Sequence, residues 1–136
     1  NIAVIGFTSD GDVFGGFYSV AVTKQNKEFF DPNIFAFSFE SHGRCETPKR
    51  FVVKREEKDI AYVKFYKGDS DGWFVYFGDG GRGYFGLGNE KSNTFCDGLS
   101  GGFEGIEDTT LTGKTYQNWE NRNCHHCSRL VAVQLS

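Results

Sequence analysis

The first 40 residues alternate apolar runs with polar turns in the manner of β-strands. Residues 2–7 are apolar at nearly every position, as in a strand covered on both faces. Ser9-Asp10-Gly11-Asp12 follows, and Asp-Gly between apolar runs is the strongest short-range signal for a β-hairpin. In the next run one face carries the larger side chains and the other mostly small ones, with Phe14, Tyr18, Val20 and Val22 opposite Gly15, Phe17, Ser19 and Ala21.

A glycine pair and a row of phenylalanines mark the second and third strands. Gly15-Gly16 inside a strand indicates either a bend or the close approach of another layer, and we expect a β-bulge there. A third strand is predicted by alternation between an aromatic face and a small or polar face, formed by Phe35, Phe37 and Phe39 and by Ala36, Ser38 and Glu40. Because three rings cannot be left in water, we expect the rest of the chain to cover them.

The remaining pattern predicts five more strands and little helix. The strands are expected over residues 50–54, 60–67, 73–77, 84–87 and 130–135, and the third of these is apolar throughout, as in a central strand. Residues 88–123 read as long loops with one strand and one short helical turn. Short strands with turns between them predict a mostly β, two-sheet antiparallel β-sandwich with few short peripheral helices.

Composition narrows the class of protein. The 136 residues suit one domain, 1–136, and the 15 Phe and 18 Gly favour strands and turns. A net charge of −3 without a basic stripe argues against nucleic-acid binding. The apolar runs are far shorter than the roughly 20 residues of a spanning helix, so we expect no membrane insertion. Since the chain has no Met, we expect a preceding segment in a longer protein.

The cysteines and the glycosylation pattern bear on location. No Asn-x-Ser/Thr sequon occurs, and a domain of this size does not need disulfides for stability. We therefore expect a cytoplasmic, monomeric protein with reduced thiols.

Two motifs resemble ligand sites but lack essential parts. Residues 78–83 match G-x-G-x-x-G, yet the sequence after them cannot form the helix that a dinucleotide site requires. Asp10, Asp12 and Gly15 resemble the start of a calcium loop, but Phe14 and Ala21 stand where oxygen ligands are needed. A glycine-rich turn and turn acids are the plainer interpretations.

The segment Cys124-His125-His126-Cys127 is the sharpest chemical candidate. Two cysteines three positions apart form half of a zinc site, whose other half His42 and Cys45 could supply from a distant loop, or a redox-active dithiol. Incidental loop thiols and histidines are the favoured interpretation, and the other two stay open. We assign no catalytic residue, no metal ligand and no cofactor, and we expect a protein that is not an enzyme.

The runs DGDVFGGF and FFDPNIFAFSF, with three later segments, make the chain resemble the TLDc domain, the module of the eukaryotic oxidation-resistance proteins. Residues 10–17, DGDVFGGF, are similar to that family's acidic-Gly-x-x-Phe-Gly-Gly opening, and residues 29–39, FFDPNIFAFSF, to its aromatic, turn, Phe-x-Phe-Ser segment. The aromatic strand 73–77, the Gly-Leu-Gly at 86–88 and the strand 130–135 fit the middle and the end of the domain. The segment 124–127 departs from the pattern.

This resemblance implies a β-sandwich without an established active site, a role in protection against oxidative damage, and binding to the vacuolar proton-pumping ATPase. We therefore expect a protein-interaction module that holds its partner through loops at one end of the sandwich. One alternative is a metal- or thiol-dependent stress sensor that uses Cys45, Cys124 and Cys127. A second is a carbohydrate-binding sandwich with Trp73, Tyr116 or Trp119 as stacking platforms.

Overall fold

Ten strands and one short helix make up the described part of the chain. The computed structural model describes residues 1–56, 61–67, 73–79, 83–88, 93–113 and 125–136. The strands are β1 (Ile2–Thr8), β2 (Val13–Tyr18), β3 (Glu28–Phe30), β4 (Phe35–Glu40), β5 (Lys49–Val52), β6 (Tyr62–Phe65), β7 (Trp73–Asp79), β8 (Gly83–Gly88), β9 (Asn93–Asp97) and β10 (His125–Gln134), and the helix is α1 (Leu99–Gly102). No helix in the described ranges is long and apolar enough to cross a membrane.

The strands are hydrogen-bonded in one continuous antiparallel order that folds into two sheets. The order is β3-β6-β7-β8-β9-β10-β1-β2-β4-β5. We call β10-β1-β2-β4-β5 the front sheet and β3-β6-β7-β8-β9 the back sheet. They are joined where β10 pairs with β9 through His125 with Thr94 and His126 with Asn93. The prediction of a mostly β, two-sheet antiparallel sandwich is confirmed.

Aromatic rings from both sheets form the core between them. The ring of Phe85 on β8 lies 6.1 Å from Phe14 on β2 and 5.1 Å from Phe77 on β7. Tyr18 of the front sheet meets Phe65 of the back sheet at 5.6 Å. Because the inner positions of β7 and β8 carry large rings, they fill the space between the sheets and set which side chains of the front sheet fit there.

Most predicted strands are present, with differences at their ends. β7 is the central strand of the back sheet, as predicted, and β9 with α1 supplies the strand and helical turn expected within residues 88–123. β2 ends at Tyr18, so Val20 and Val22 pack against the core from a loop. β3 was not predicted, because its three residues become a strand only by pairing with β6.

The hairpin turn forms as predicted, but the bulge lies elsewhere. β1 and β2 pair without interruption through Gly15 and Gly16, and the register shift falls between Val13 and Phe14, where β2 pairs with β4. The glycines serve close approach instead. A Cβ on Gly16 would lie 2.7 Å from the Phe77 ring, on the inner side of β2, and one on Gly15 would lie 2.8 Å from Phe37, on the outer side.

Replacing Gly16 with alanine should therefore destabilise the protein. The added methyl group would overlap the Phe77 ring, which is fully buried and cannot move away, so we expect a loss of about 1 to 3 kcal/mol in the free energy of unfolding. Urea unfolding followed by circular dichroism would measure the loss. Adding Gly16→Ala to a Phe77→Leu variant should cost less than adding it to the wild type, and unchanged stability of the single variant would contradict this packing.

Candidate functional site

The outer side of the front sheet is apolar from one edge to the other, and we call it the apolar face. The strand registers align one continuous apolar row across all five strands, formed by Val133, Ala3, Phe17, Phe35 and Val52. The next row along the strands ends in a cation and consists of Val131, Ile5, Gly15, Phe37 and Arg50. These residues point away from the core because their strand neighbours, such as Val4 and Ala36, are buried within it.

A shallow basin of about 460 Å³ lies in this face. Its walls are the Phe35–Phe37–Phe39 side of β4 and the aliphatic side chains of β1 and β10, including Ile5 and Val133. The rings support one another, since Phe17 stacks on Phe35 at 4.7 Å and Phe37 meets Phe39 at 4.9 Å. The aromatic face of β4 is therefore an ordered surface.

The expectation that the rest of the chain covers the Phe35, Phe37 and Phe39 rings holds for Phe37, which is 7% exposed, and is wrong for Phe39 within the described residues. The small face of β4, with Ala36 and Ser38, points into the core, and the rings point outward. Phe37 is shielded by its neighbours, but Phe39 remains 48% exposed, and Leu135 beside the basin remains 45% exposed. An apolar surface of this kind in a folded protein commonly marks a binding site.

Positive charge borders one side of the basin. Arg50 contributes to its wall from β5, and no carboxylate is among the described residues that line it. Lys49 also touches the basin, but its Nζ lies over the buried Phe51 ring at 5.5 Å, on the other side of β5. The Arg50 guanidinium lies 5.2 Å from the centre of the Phe35 ring, a cation–π contact. A second cleft of about 520 Å³ shares Phe17, Phe35 and Arg50 with the basin and adds Arg55 and Glu104. The apolar face is thus continued by a polar, mainly cationic margin.

The outer side of the back sheet has a different character. It carries tyrosines and a lysine that are buried or half-buried, with Tyr76 stacked on Tyr84 at 5.0 Å and Lys64 over the Tyr66 ring. Burial, and secondarily the charge of Asp79, raise the pKa of Tyr76 well above that of an ordinary phenol. The back sheet thus carries tyrosine hydroxyl groups beside the exposed rings of Phe30 and Phe74, whereas the apolar face presents hydrocarbon and the Arg50 guanidinium.

A buried carboxylate locks the loops at one end of the sandwich. Asp12 is 1% exposed and accepts hydrogen bonds from Arg44 Nη2 and, at 2.9 Å, from His42 Nδ1. Arg44 also donates to the carbonyl oxygens of Thr110 and Leu111, both at 2.9 Å. Asp12 is therefore not a plain turn acid, as the sequence suggested, but the anchor that joins the hairpin turn to two distant loops.

The cysteine thiols of the described residues are buried or half-buried in the fold. Cys127 lies on β10, and its Sγ is buried near Gly6, 3.2 Å from the Arg129 carbonyl oxygen to which it donates. Cys45 is half-buried in the loop before β5, where its backbone N–H donates to Ser41 Oγ. Within the described ranges, no three His, Cys, Asp or Glu side chains are grouped to hold a metal ion.

The predicted loop at Cys124–Cys127 is wrong from His125 onward, because β10 starts there. Cys124 and the side chains of His125 and His126 lie outside the described residues, so the metal and dithiol interpretations stay predictions. The same holds for sugar stacking, since Tyr116, Trp119 and the side chain of Trp73 are also outside them.

The two ends of the glycine motif at residues 78–83 lie on the paired strands β7 and β8, and residues 80–82 lie outside the described residues. Asp79 pairs with Gly83, and a strand, β8, follows the motif where a dinucleotide site would have a helix. This agrees with its interpretation as a glycine-rich turn.

The sequence analysis placed the phenylalanines of β4 on one face but did not predict that this face is the outer side of the sheet. The signal that could have indicated it is their alignment with Phe17 and Ile5 on neighbouring strands, which makes one face apolar across several strands at once. Comparisons with family models, with curated proteins and with solved structures find no match for this chain.

Proposed function

We propose that this domain is a non-enzymatic protein-interaction module and that its partner binds the apolar face. The observation that carries the proposal is the continuous row of apolar side chains across all five strands of the front sheet, with half-exposed Phe39 and Leu135 beside the basin. A sheet with one apolar face already in a core needs a second layer over the other face if that face is apolar too. A partner protein would supply that layer.

The resemblance to the TLDc domain suggests the partner's identity. That family is associated with protection against oxidative damage and, in several members, with the vacuolar proton-pumping ATPase. We therefore propose that subunits of this ATPase are the partner and that the domain acts in the oxidative-stress response. The apolar face, in place of the end loops, is the proposed contact surface.

A matched pair of variants tests this proposal. Phe39 and Phe30 are both 48% exposed, but Phe39 lies on the apolar face and Phe30 lies on the edge strand of the back sheet. The immobilised wild-type domain and the Phe30→Glu variant should retain ATPase subunits from a eukaryotic lysate, as identified by mass spectrometry. Phe39→Glu should reduce their recovery by about tenfold or more, because a buried, unpaired carboxylate costs well over 1.4 kcal/mol at an interface.

Two results would count against the proposal. Equal recovery by Phe39→Glu and Phe30→Glu would place the contact elsewhere on the domain. No enrichment of ATPase subunits by the wild-type domain would remove the family-based partner. Circular dichroism of both variants would establish that each is folded before the comparison is made.

A further inference from the structure

We propose that the apolar face binds an acidic amphipathic helix of the partner protein. This inference rests on the proposed function and adds the shape and the charge of the bound segment. It is drawn from three features of the face: its dimensions, the sign of its charges, and its openness to solvent.

The dimensions of the face suit a short helix laid across the strands. The row from Val133 to Val52 crosses five strands, which at about 4.8 Å per strand interval span about 19 Å. A helix of about 13 residues has this length. Its apolar positions at i, i+3, i+4 and i+7 would meet the basin between Ile5 and Phe37, and its other side would face solvent.

The charges of the face select an acidic helix. Arg50 lies at the basin and Arg55 at the adjoining cleft, with Glu104 the acid found beside them. Within the described part of the chain, Arg50 forms no ion pair. Carboxylates flanking the apolar stripe of the helix would meet these cations, which favours an acidic segment over a basic one.

A second copy of the domain fits the face less well. Two copies packed face to face would each bring Arg50 to the interface, and the described residues lining the basin hold no carboxylate to oppose it. A small apolar ligand also fits poorly, because sites for such ligands bury most of the ligand surface. Here Phe39, Val133 and Leu135 are all more than a third exposed, so the basin is open.

Labelled model peptides test the inference by fluorescence anisotropy with the whole domain. The first is an amphipathic peptide of about 18 residues with Leu at the apolar positions and Glu on the flanks, long enough for some helix formation in water. The second replaces every Glu by Lys. The acidic peptide should bind about tenfold more tightly than the basic one at low salt, and added salt should reduce the difference.

Four variants show where the peptide binds. Arg50→Glu should remove the preference for the acidic peptide, whereas Lys24→Glu, which makes the same change in net charge on the loop after β2, should keep it. Phe39→Glu should abolish binding of the acidic peptide, and its match Phe30→Glu should retain it.

Four outcomes would overturn the inference. If the domain binds both peptides with equal affinity and Phe39→Glu abolishes both, the apolar face is a protein-binding surface without a preference for acidic helices. Binding of neither peptide would exclude a helix of this type, while the ATPase pull-down decides the proposed function separately. If sedimentation equilibrium shows a dimer and Phe39→Glu disrupts it, the apolar face binds a second copy of the domain. If the domain binds phosphatidylserine vesicles and Phe39→Glu abolishes that binding, the apolar face binds a lipid bilayer.

Discussion

Replacing Phe85 with alanine should lower the free energy of unfolding by about 3 to 5 kcal/mol. Phe85 is fully buried between the sheets, and its ring contacts those of Phe14, Phe77 and Phe103 at 6.1, 5.1 and 6.0 Å. Removing the ring would leave a cavity walled by three other rings, which rigid neighbours cannot fill. Since small domains have only about 5 to 15 kcal/mol of stability in total, the loss would be a large share of it.

Phe39→Ala is the matched control for this prediction. The Phe39 ring is half-exposed on the apolar face and contacts only one other described ring, that of Phe37. We expect it to cost less than about 1 kcal/mol in the same urea titration. If Phe85→Ala does not fold, Phe85→Leu should still show a loss of about 1 to 2 kcal/mol. Equal losses at positions 39 and 85 would contradict the assignment of these rings to surface and core.

Replacing Asp12 with alanine should cost about 3 kcal/mol, the second largest effect we expect. The variant would leave the Arg44 guanidinium without its carboxylate in a place where a quarter of the side chain is exposed. The hairpin turn would also lose its tie to the loop containing Thr110 and Leu111. Chemical denaturation at neutral pH would measure the loss.

The two partners of Asp12 should contribute unequally. The His42 side chain is half-exposed, so His42→Ala should cost less than about 1 kcal/mol. Arg44→Ala should cost nearly as much as Asp12→Ala, and the double variant Asp12→Ala/Arg44→Ala should cost much less than the sum of the two. Additive losses would show that the two side chains act independently and would contradict the proposed interaction between Asp12 and Arg44.

Local patterns accounted for most of the strands. The Asp10-Gly11 turn formed the predicted hairpin, because Gly11 adopts the positive φ of 89° that such a turn can require. Alternation along β4 correctly assigned Phe35, Phe37 and Phe39 to one face. By contrast, β3 and the first residues of β10 are strands only because β6 and β9 lie beside them, and a local pattern cannot report such distant pairing.

The candidate site likewise could not be predicted from local sequence patterns alone. The sequence predicts that β4 has an aromatic face and a small face, but either could point toward the core. The inner space opposite the front sheet is taken by Phe77 and Phe85, so a small residue such as Ala36 fits there and the phenylalanines turn outward. Nothing within β4 itself carries this information. The apolar face could therefore be found only after both sheets were in place.

The sequence by itself determined the β class, the hairpins and the two-residue periodicity of each strand, because these depend on neighbours a few positions away. Tertiary structure decided which face of each strand is buried, that Gly16 makes room for Phe77, and that Asp12 meets Arg44. These features depend on residues from distant parts of the chain, whose side chains must fit together in one space and whose charges must be compensated. The apolar face and its cations, on which the proposed function rests, belong to this second group.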